Sequence, residues 1–192
     1  SAPRVSRVLE EAQQRRPRTD DAGTTDASQK DQSPKPQAKV VTVSDGVVAG
    51  TREDLSGVTL VEHLESAGFE VLEHRVIADG VERVSNTLSY MALNFVGIIA
   101  TTGGTGFGHR DETPEGTRRI LDKTAPGLTN AMAGASPLNR LSRGVAGVRG
   151  RALILNLPGS TKGAIETIDA VIDVLPHAVS LLAGAHGPHP TS

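Results

Sequence analysis

The sequence predicts an α/β sandwich built on a mainly parallel sheet, and three observations carry that prediction. From Lys39 onwards, short apolar runs rich in Val and Ile alternate with amphipathic stretches of helical spacing. Aromatic residues are only 2% of the chain, so the core must be aliphatic, as suits strands covered by helices. The apolar runs also end in small polar residues and glycines, at the carboxyl edge where such sheets collect ligands.

The elements follow in order. "KVVTVSD" from Lys39 is the first strand. "DLSGVTLVEHLESAGF" is a helix, with Ser56 expected as N-cap, Val58, Val61 and Leu64 on one face, and Gly68 as the stop. "EVLEHRVIAD" is the second strand. "GVERVSNTLSYMALNF" spaces Val81, Val84, Leu88, Met91 and Phe95 by threes and fours, which marks an amphipathic helix. "VGIIATT" is the third strand and runs into "TTGGTGFGHRDETPEG". Thr113 is expected to cap the next helix, with Pro114 at its first position and "RRILDK" continuing it. A short helix is expected around "APGLTNAMAGA". Two strands joined through Gly150 follow in "RGVAGVRGRALILNLPG". The closing helical region contains Pro176, which should break or kink it.

Three segments are expected. Residues 1–37 form a polar tail or linker, with one or two helical turns in "VSRVLEEAQQRR" and almost nothing to bury elsewhere. Residues 38–185 form the domain, and residues 186–192 a C-terminal tail. The chain begins at Ser1, which suggests a removed initiator Met or a fragment of a longer protein.

Composition excludes several function classes. The formal net charge of -2 gives no electrostatic footprint for nucleic acid, and one Tyr with three Phe leaves little to stack on bases. With no cysteine, disulfides, thiolate metal sites and cysteine nucleophiles are ruled out. No apolar run is long enough to span a bilayer and no signal-peptide core is present, so a cytoplasmic setting is expected.

The strand ends supply the candidate site. Ser44 and Asp45 end the first strand, Asp79 the second, Thr102, Gly103 and Gly104 the third, and Pro158, Gly159 and Ser160 the last. In a parallel sheet all of them reach one crevice. Five glycines between Thr101 and Gly116 fit neither a Walker A loop nor a dinucleotide fingerprint. They still allow backbone N–H groups to approach an anion. A carboxylate beside a phosphate loop makes sense if a divalent cation lies between them, and Mg²⁺ takes one or two carboxylates together with phosphate oxygens and waters. Asp111 and Asp79 are the candidate ligands. Other roles are open to both: a salt bridge to Arg110 for Asp111, and an N-cap for Asp79. Arg110, Arg143 and Lys162 are candidate cations for phosphoryl groups. The six histidines form no ligand constellation and no Ser-His-Asp arrangement, although His109 lies in the loop.

"TVSD", "DLSG" from Asp54 to Gly57, "TTGGTGFGHRDETPE", "LSRGVAGVRG" and "LILNLPGSTKG" occur in this order. Together they resemble the MogA/MoaB family of molybdenum-cofactor biosynthesis, and most closely its molybdopterin adenylyltransferases. The resemblance spans roughly Lys39 to Gly184. It implies a three-layer α/β/α domain, commonly trimeric, that binds molybdopterin and accepts AMP from Mg²⁺·ATP onto the pterin's phosphate. By resemblance Asp111 is the acid associated with catalysis and Asp79 the acid ending the second strand. Gly103, Gly104, Thr105 and Gly106 match the pterin and phosphate loop. Thr113, Pro114 and Glu115 continue that motif, Ser142 and Arg143 match "LSR", and Pro158, Gly159 and Ser160 match "PGS". The family reads the second-strand acid in a "PDE" context, whereas here it stands in "ADG".

The expected function is therefore adenylylation of molybdopterin with release of pyrophosphate. Expected partners are molybdopterin, ATP and two further copies of the chain, with other proteins of the same pathway as additional candidates; no nucleic acid and no membrane are expected. A non-catalytic molybdopterin carrier, or a fused module of the same pathway, is the alternative.

Overall fold

The structure, a computed structural model, describes residues 33–184; the predicted N-terminal helical turns and the 186–192 tail lie outside them. Strand β1 spans Gln37–Val43, beginning two positions before Lys39. It leads through Ser44 into a single turn, α1 (Asp45–Val48), which the sequence did not signal. Helix α2 (Leu55–Ser66), strand β2 (Glu70–Ile77), helix α3 (Val81–Ala92) and strand β3 (Val96–Thr102) follow. Then come α4 (Thr113–Arg118), β4 (Lys123–Thr124), α5 (Pro126–Ala133) and a 3-10 turn at Pro137–Leu141. Strands β5 (Ala146–Arg149) and β6 (Arg151–Leu157) and helices α6 (Thr161–Asp169) and α7 (Leu175–Leu182) complete the domain.

The strands make one sheet in the order β2-β1-β3-β6-β5-β4. The first four are parallel neighbours, while β5 and β4 are antiparallel additions. Register aligns Val76, Thr42, Thr102 and Leu157 across the parallel half. The residues after each strand therefore emerge side by side, as one-edge delivery requires.

Alternation along the strands divides the core in two. Val40, Ile98, Ala100, Leu153 and Leu155 face Leu60 and Leu64 of α2, Ile168 of α6 and Leu175 and Val179 of α7. Val41, Val43, Ile99 and Ile154 face Val84, Leu88 and Met91 of α3. Both faces of the sheet are thus covered, giving three layers. Each fully buried Leu or Ile contributes about 1.5–3 kcal/mol. The core is mostly aliphatic, but not wholly so as expected, because Phe69 is buried on the α2 side and Phe95 on the α3 side.

Several local expectations are corrected. Asp54, not Ser56, caps α2: its carboxylate accepts the Gly57 N–H at 3.0 Å. The buried face of α2 is Gly57, Leu60 and Leu64, while Val58 is exposed. The cap sits two residues earlier than expected, and the inward face turns with it. Thr113 is the first residue of α4 rather than its cap. Its hydroxyl, fully buried, donates to the Gly103 carbonyl at 3.0 Å, tying the helix to the glycine turn. Helix α4 also stops at Arg118, because Ile120 and Leu121 must reach the α3 side of the core and Asp122 pairs with the β5–β6 turn. The break expected at Pro176 is present: α6 ends at Asp169 and Pro176 falls in the first turn of α7.

Candidate active site

The carboxyl edge of the parallel strands opens into a cavity of about 850 Å³. Ser44, Asp79, Thr102, Gly103, Gly104, Thr105, Gly106, Asp111, Ser142, Pro158, Gly159, Ser160 and Lys162 all line it. Among the other candidates, Asp45, Arg110, Thr113, Pro114, Glu115 and Arg143 are not lining residues; several hold those that are.

The turn after β3 depends on two glycines. Gly103 has φ +102°, and a Cβ there would stand 2.2 Å from the Val43 carbonyl oxygen. Gly104 has φ +67°, and its Cβ would stand 2.2 Å from the Thr113 hydroxyl. Only glycine meets both demands, so β1 and α4 pack directly against the turn. Thr102 secures the other side by donating to the Pro158 carbonyl at 2.7 Å. Beneath them Asn156 donates to both Thr101 and Thr117, so this buried polar layer is satisfied.

Asp79 is held by its neighbour. The Asp45 N–H donates to Asp79 Oδ2 at 2.9 Å, and the Asp79 N–H donates to Asp45 Oδ1 at 3.0 Å. Gly80, not Asp79, occupies the N-cap position of α3, so the acid is free of the capping role. Arg110 pairs with Asp45 at 3.0 Å, not with Asp111, and also donates to the Asp79 carbonyl at 2.9 Å. Burial pushes the Asp79 carboxyl above the ordinary carboxylate range; the charges of Asp45 and Asp111 push the same way, against the Asp45 N–H and Arg110. Asp45 moves the opposite way, chiefly because Arg110 hydrogen-bonds to it.

Asp111 sits on the glycine turn itself. Its Oδ2 accepts the Gly108 N–H at 2.8 Å, leaving Oδ1 without a donor among the described residues. Arg143 reaches this turn from the 3-10 side, donating to the Gly106 carbonyl at 2.9 Å and the Asp111 carbonyl at 2.6 Å while pairing with Glu115. That pairing draws the Glu115 carboxyl below its usual range. At the opposite wall, Ser160 caps α6 by accepting the Gly163 N–H at 3.1 Å. Lys162 projects into solvent beside Glu166, 3.7 Å away.

Asp79 and Asp111 suit a divalent ion. Both face the same cavity, and Asp111 is among the charges that raise the Asp79 pKa. No group of three or more His, Cys, Asp or Glu in a metal-binding arrangement exists among the described residues. Two carboxylates with open positions make a donor set for Mg²⁺ completed by phosphate and water, not for a caged structural ion.

The sequence reading missed two walls of the cavity. Arg52, Glu53, Leu55 and Ser56 line one, and Ser136, Pro137, Leu138, Asn139 and Leu141 the other. Also missed was a cluster at the cavity floor. Thr42 donates to both Asp54 oxygens at 2.9 and 3.0 Å, and His74 Nε2 lies 3.0 Å from Asp54. Thr42 Oγ1 also lies 3.0 Å from His74 Nε2. With its proton donated to Asp54 the hydroxyl accepts from the ring, so this is a brace, not a nucleophile activated by a histidine.

A family model described as a probable molybdopterin binding domain matches residues 39–177. The molybdopterin adenylyltransferase of Helicobacter pylori strain J99 is 36% identical over 152 residues, covering 76% of this chain and 86% of that protein. That of Escherichia coli K12 is 35% identical over 167 residues, covering 77% and 85%. Among solved structures, the molybdopterin biosynthesis enzyme MoaB from Thermus thermophilus superposes with a TM-score of 0.73 at 44% identity, covering 78% of this chain and 97% of that one. The Mog protein from Mycobacterium ulcerans gives a TM-score of 0.73 at 39% identity, covering 80% and 100%.

Proposed function

The chain belongs to the molybdopterin-binding MogA/MoaB family of molybdenum-cofactor biosynthesis, and on that premise we propose that it is a molybdopterin adenylyltransferase using Mg²⁺·ATP. An oxygen of the pterin's phosphate forms a bond to the α-phosphorus of ATP. The bond from that phosphorus to the bridging oxygen breaks, and pyrophosphate leaves with the electron pair. Molybdopterin carries the phosphate that attacks, so the enzyme needs no general base: a phosphate monoester with a second pKa of about 6 is already largely ionised at pH 7. What remains is positioning and charge neutralisation.

The observation that carries the proposal is that Asp79, after β2, and Asp111, on the loop after β3, both reach one cavity. Asp79 and Asp111 would hold Mg²⁺, which when bound neutralises charge on the triphosphate. The glycine turn brings backbone N–H groups to the phosphates, and its Cβ-free surface lets them come close. Ser160, at the start of α6, and Lys162 offer an anion-friendly wall opposite the acids. A homotrimer in the cytoplasm, in contact with other proteins of the same pathway, completes the reading. No helix among the described residues is long and apolar enough to cross a membrane.

The test is direct. The protein is incubated with molybdopterin and Mg²⁺·ATP, and adenylyl-molybdopterin and pyrophosphate are measured. Product is expected only when pterin, nucleotide and metal are all present. Tight pterin binding without nucleotide consumption would replace the enzyme by a carrier.

A further inference from the structure

Arg143 is one of the three cations that the sequence offers to phosphate, yet its guanidinium is already engaged. Its Nε donates to Gly106 O at 2.9 Å and its Nη2 to Asp111 O at 2.6 Å, so one planar group spans both ends of the turn. Nη1 pairs with Glu115 Oε1, and Nη2 reaches Oε2 at 3.4 Å. An arginine has five N–H donors, and little remains for a ligand. The main chain adds to the attachment: Arg143 N donates to Thr105 O at 2.9 Å, and Ser142 Oγ to Thr105 Oγ1 at 3.2 Å. Gly106 and Asp111 line the cavity, whereas Arg143 stands behind them.

We propose that Arg143 is a positioning residue: locked by Glu115, it clamps the turn from Gly106 to Asp111 so that the Asp111 carboxylate faces the cavity. This rests on the adenylyltransferase reading only for its kinetic consequence; the clamp itself is a property of the ligand-free chain. Arginine is needed because a lysine ammonium is a point donor that cannot bridge two carbonyls and a carboxylate in one plane.

Two variants test it, Arg143→Lys and Glu115→Gln. Amide hydrogen exchange is followed in the ligand-free proteins, and pyrophosphate release under saturating pterin. Loss of charge-assisted bonds should speed exchange at residues 104–111 by about tenfold in Arg143→Lys, and by less in Glu115→Gln, where the two carbonyl bonds survive. A displaced carboxylate should lower kcat by about 10²-fold in Arg143→Lys with KM for ATP little changed. A phosphate-binding arginine predicts the reverse. Lysine would then keep most of kcat, KM for ATP would rise, and Glu115→Gln, by releasing the guanidinium, would leave KM equal or lower. Unchanged exchange at 104–111 in both variants, or that reverse kinetic pattern, overturns the clamp. If Arg143→Lys fails to fold, Glu115→Gln decides by the same two readouts. If the wild type releases no pyrophosphate, the adenylyltransferase reading has failed, and the exchange data still decide the clamp.

Discussion

Asp79 and Asp111 face the same cavity but are held there by different means. Asp79 follows a strand; its place is set by the β1–β2 register and by reciprocal hydrogen bonds with Asp45, both made through main-chain N–H groups. Asp111 rides a loop of glycines, and its place is set mainly by side chains, Arg143 on the carbonyls and Thr113 on Gly103, with one main-chain bond from the Gly108 N–H to its carboxylate. The sheet edge places one acid, with side-chain support from Asp45 and Arg110. The other acid is only as well placed as its braces. Substitutions around the two should therefore have unequal effects.

The largest expected effect removes the loop acid itself. Asp111→Asn should lower pyrophosphate release by about 10²-fold or more, the scale of losing one preorganised electrostatic contact, while pterin binding persists. Normal turnover in that variant would remove Asp111 from the proposed metal site. Next comes the turn that carries it. Gly104→Ala forces an L residue to φ +67° with its Cβ 2.2 Å from Thr113 Oγ1. Strain and clash together should cost about 2–4 kcal/mol, read as a lowered denaturation midpoint. A midpoint like that of the wild type would show the turn to be pliable and the contrast between the acids overstated.

On the strand side, Arg110→Gln removes an ion pair that is half exposed on both partners. Such exposed pairs contribute little. The bond to the Asp79 carbonyl is lost with the pair, but the two N–H bonds between Asp45 and Asp79 remain, so kcat should fall only a few-fold. A loss equal to that of Arg143→Lys would mean that both acids depend on arginines equally. The smallest effect concerns pH. Burial raises the folded-state pKa of Asp79 above its unfolded value. The folded state then binds more protons than the unfolded state in that window, so stability declines as pH rises through it. Metal-free Asp79→Asn should be slightly more stable than the wild type at neutral pH, and the gain should vanish as pH falls to the ordinary carboxylate range. Thermal melts across about pH 3–8 check the sign; a gain that grows towards acid would reverse the assignment.

Legibility in the sequence followed the same division. Strand and helix order, the amphipathic face of α3 and the shared edge of the strand ends were open to reading, because alternation and three-four spacing are local records of burial. The caps were less so. Ser56 and Asp54 are both good capping residues, and only the path from α1 to α2 selects Asp54. Adjacency left a salt bridge from Arg110 to Asp111 open, yet Arg110 turns to Asp45, which is 65 positions away in sequence. The wall residues within 52–56 and 136–141 carried no phosphate-like or metal-like pattern, so nothing local marked them.

By itself the sequence determined the kind of sheet, its aliphatic core, the glycine turn and the two acids. Each is a matter of residue type at a given spacing, and backbone sterics and burial act on it locally. Only the tertiary structure decided which charges meet: Arg110 with Asp45, Arg143 with Glu115 and the turn, and His74 with Asp54 beside Thr42. Those pairings depend on distances across strands and loops far apart in the chain, and Coulombic and hydrogen-bond energies fall off within a few ångströms. A spacing along the sequence does not contain them.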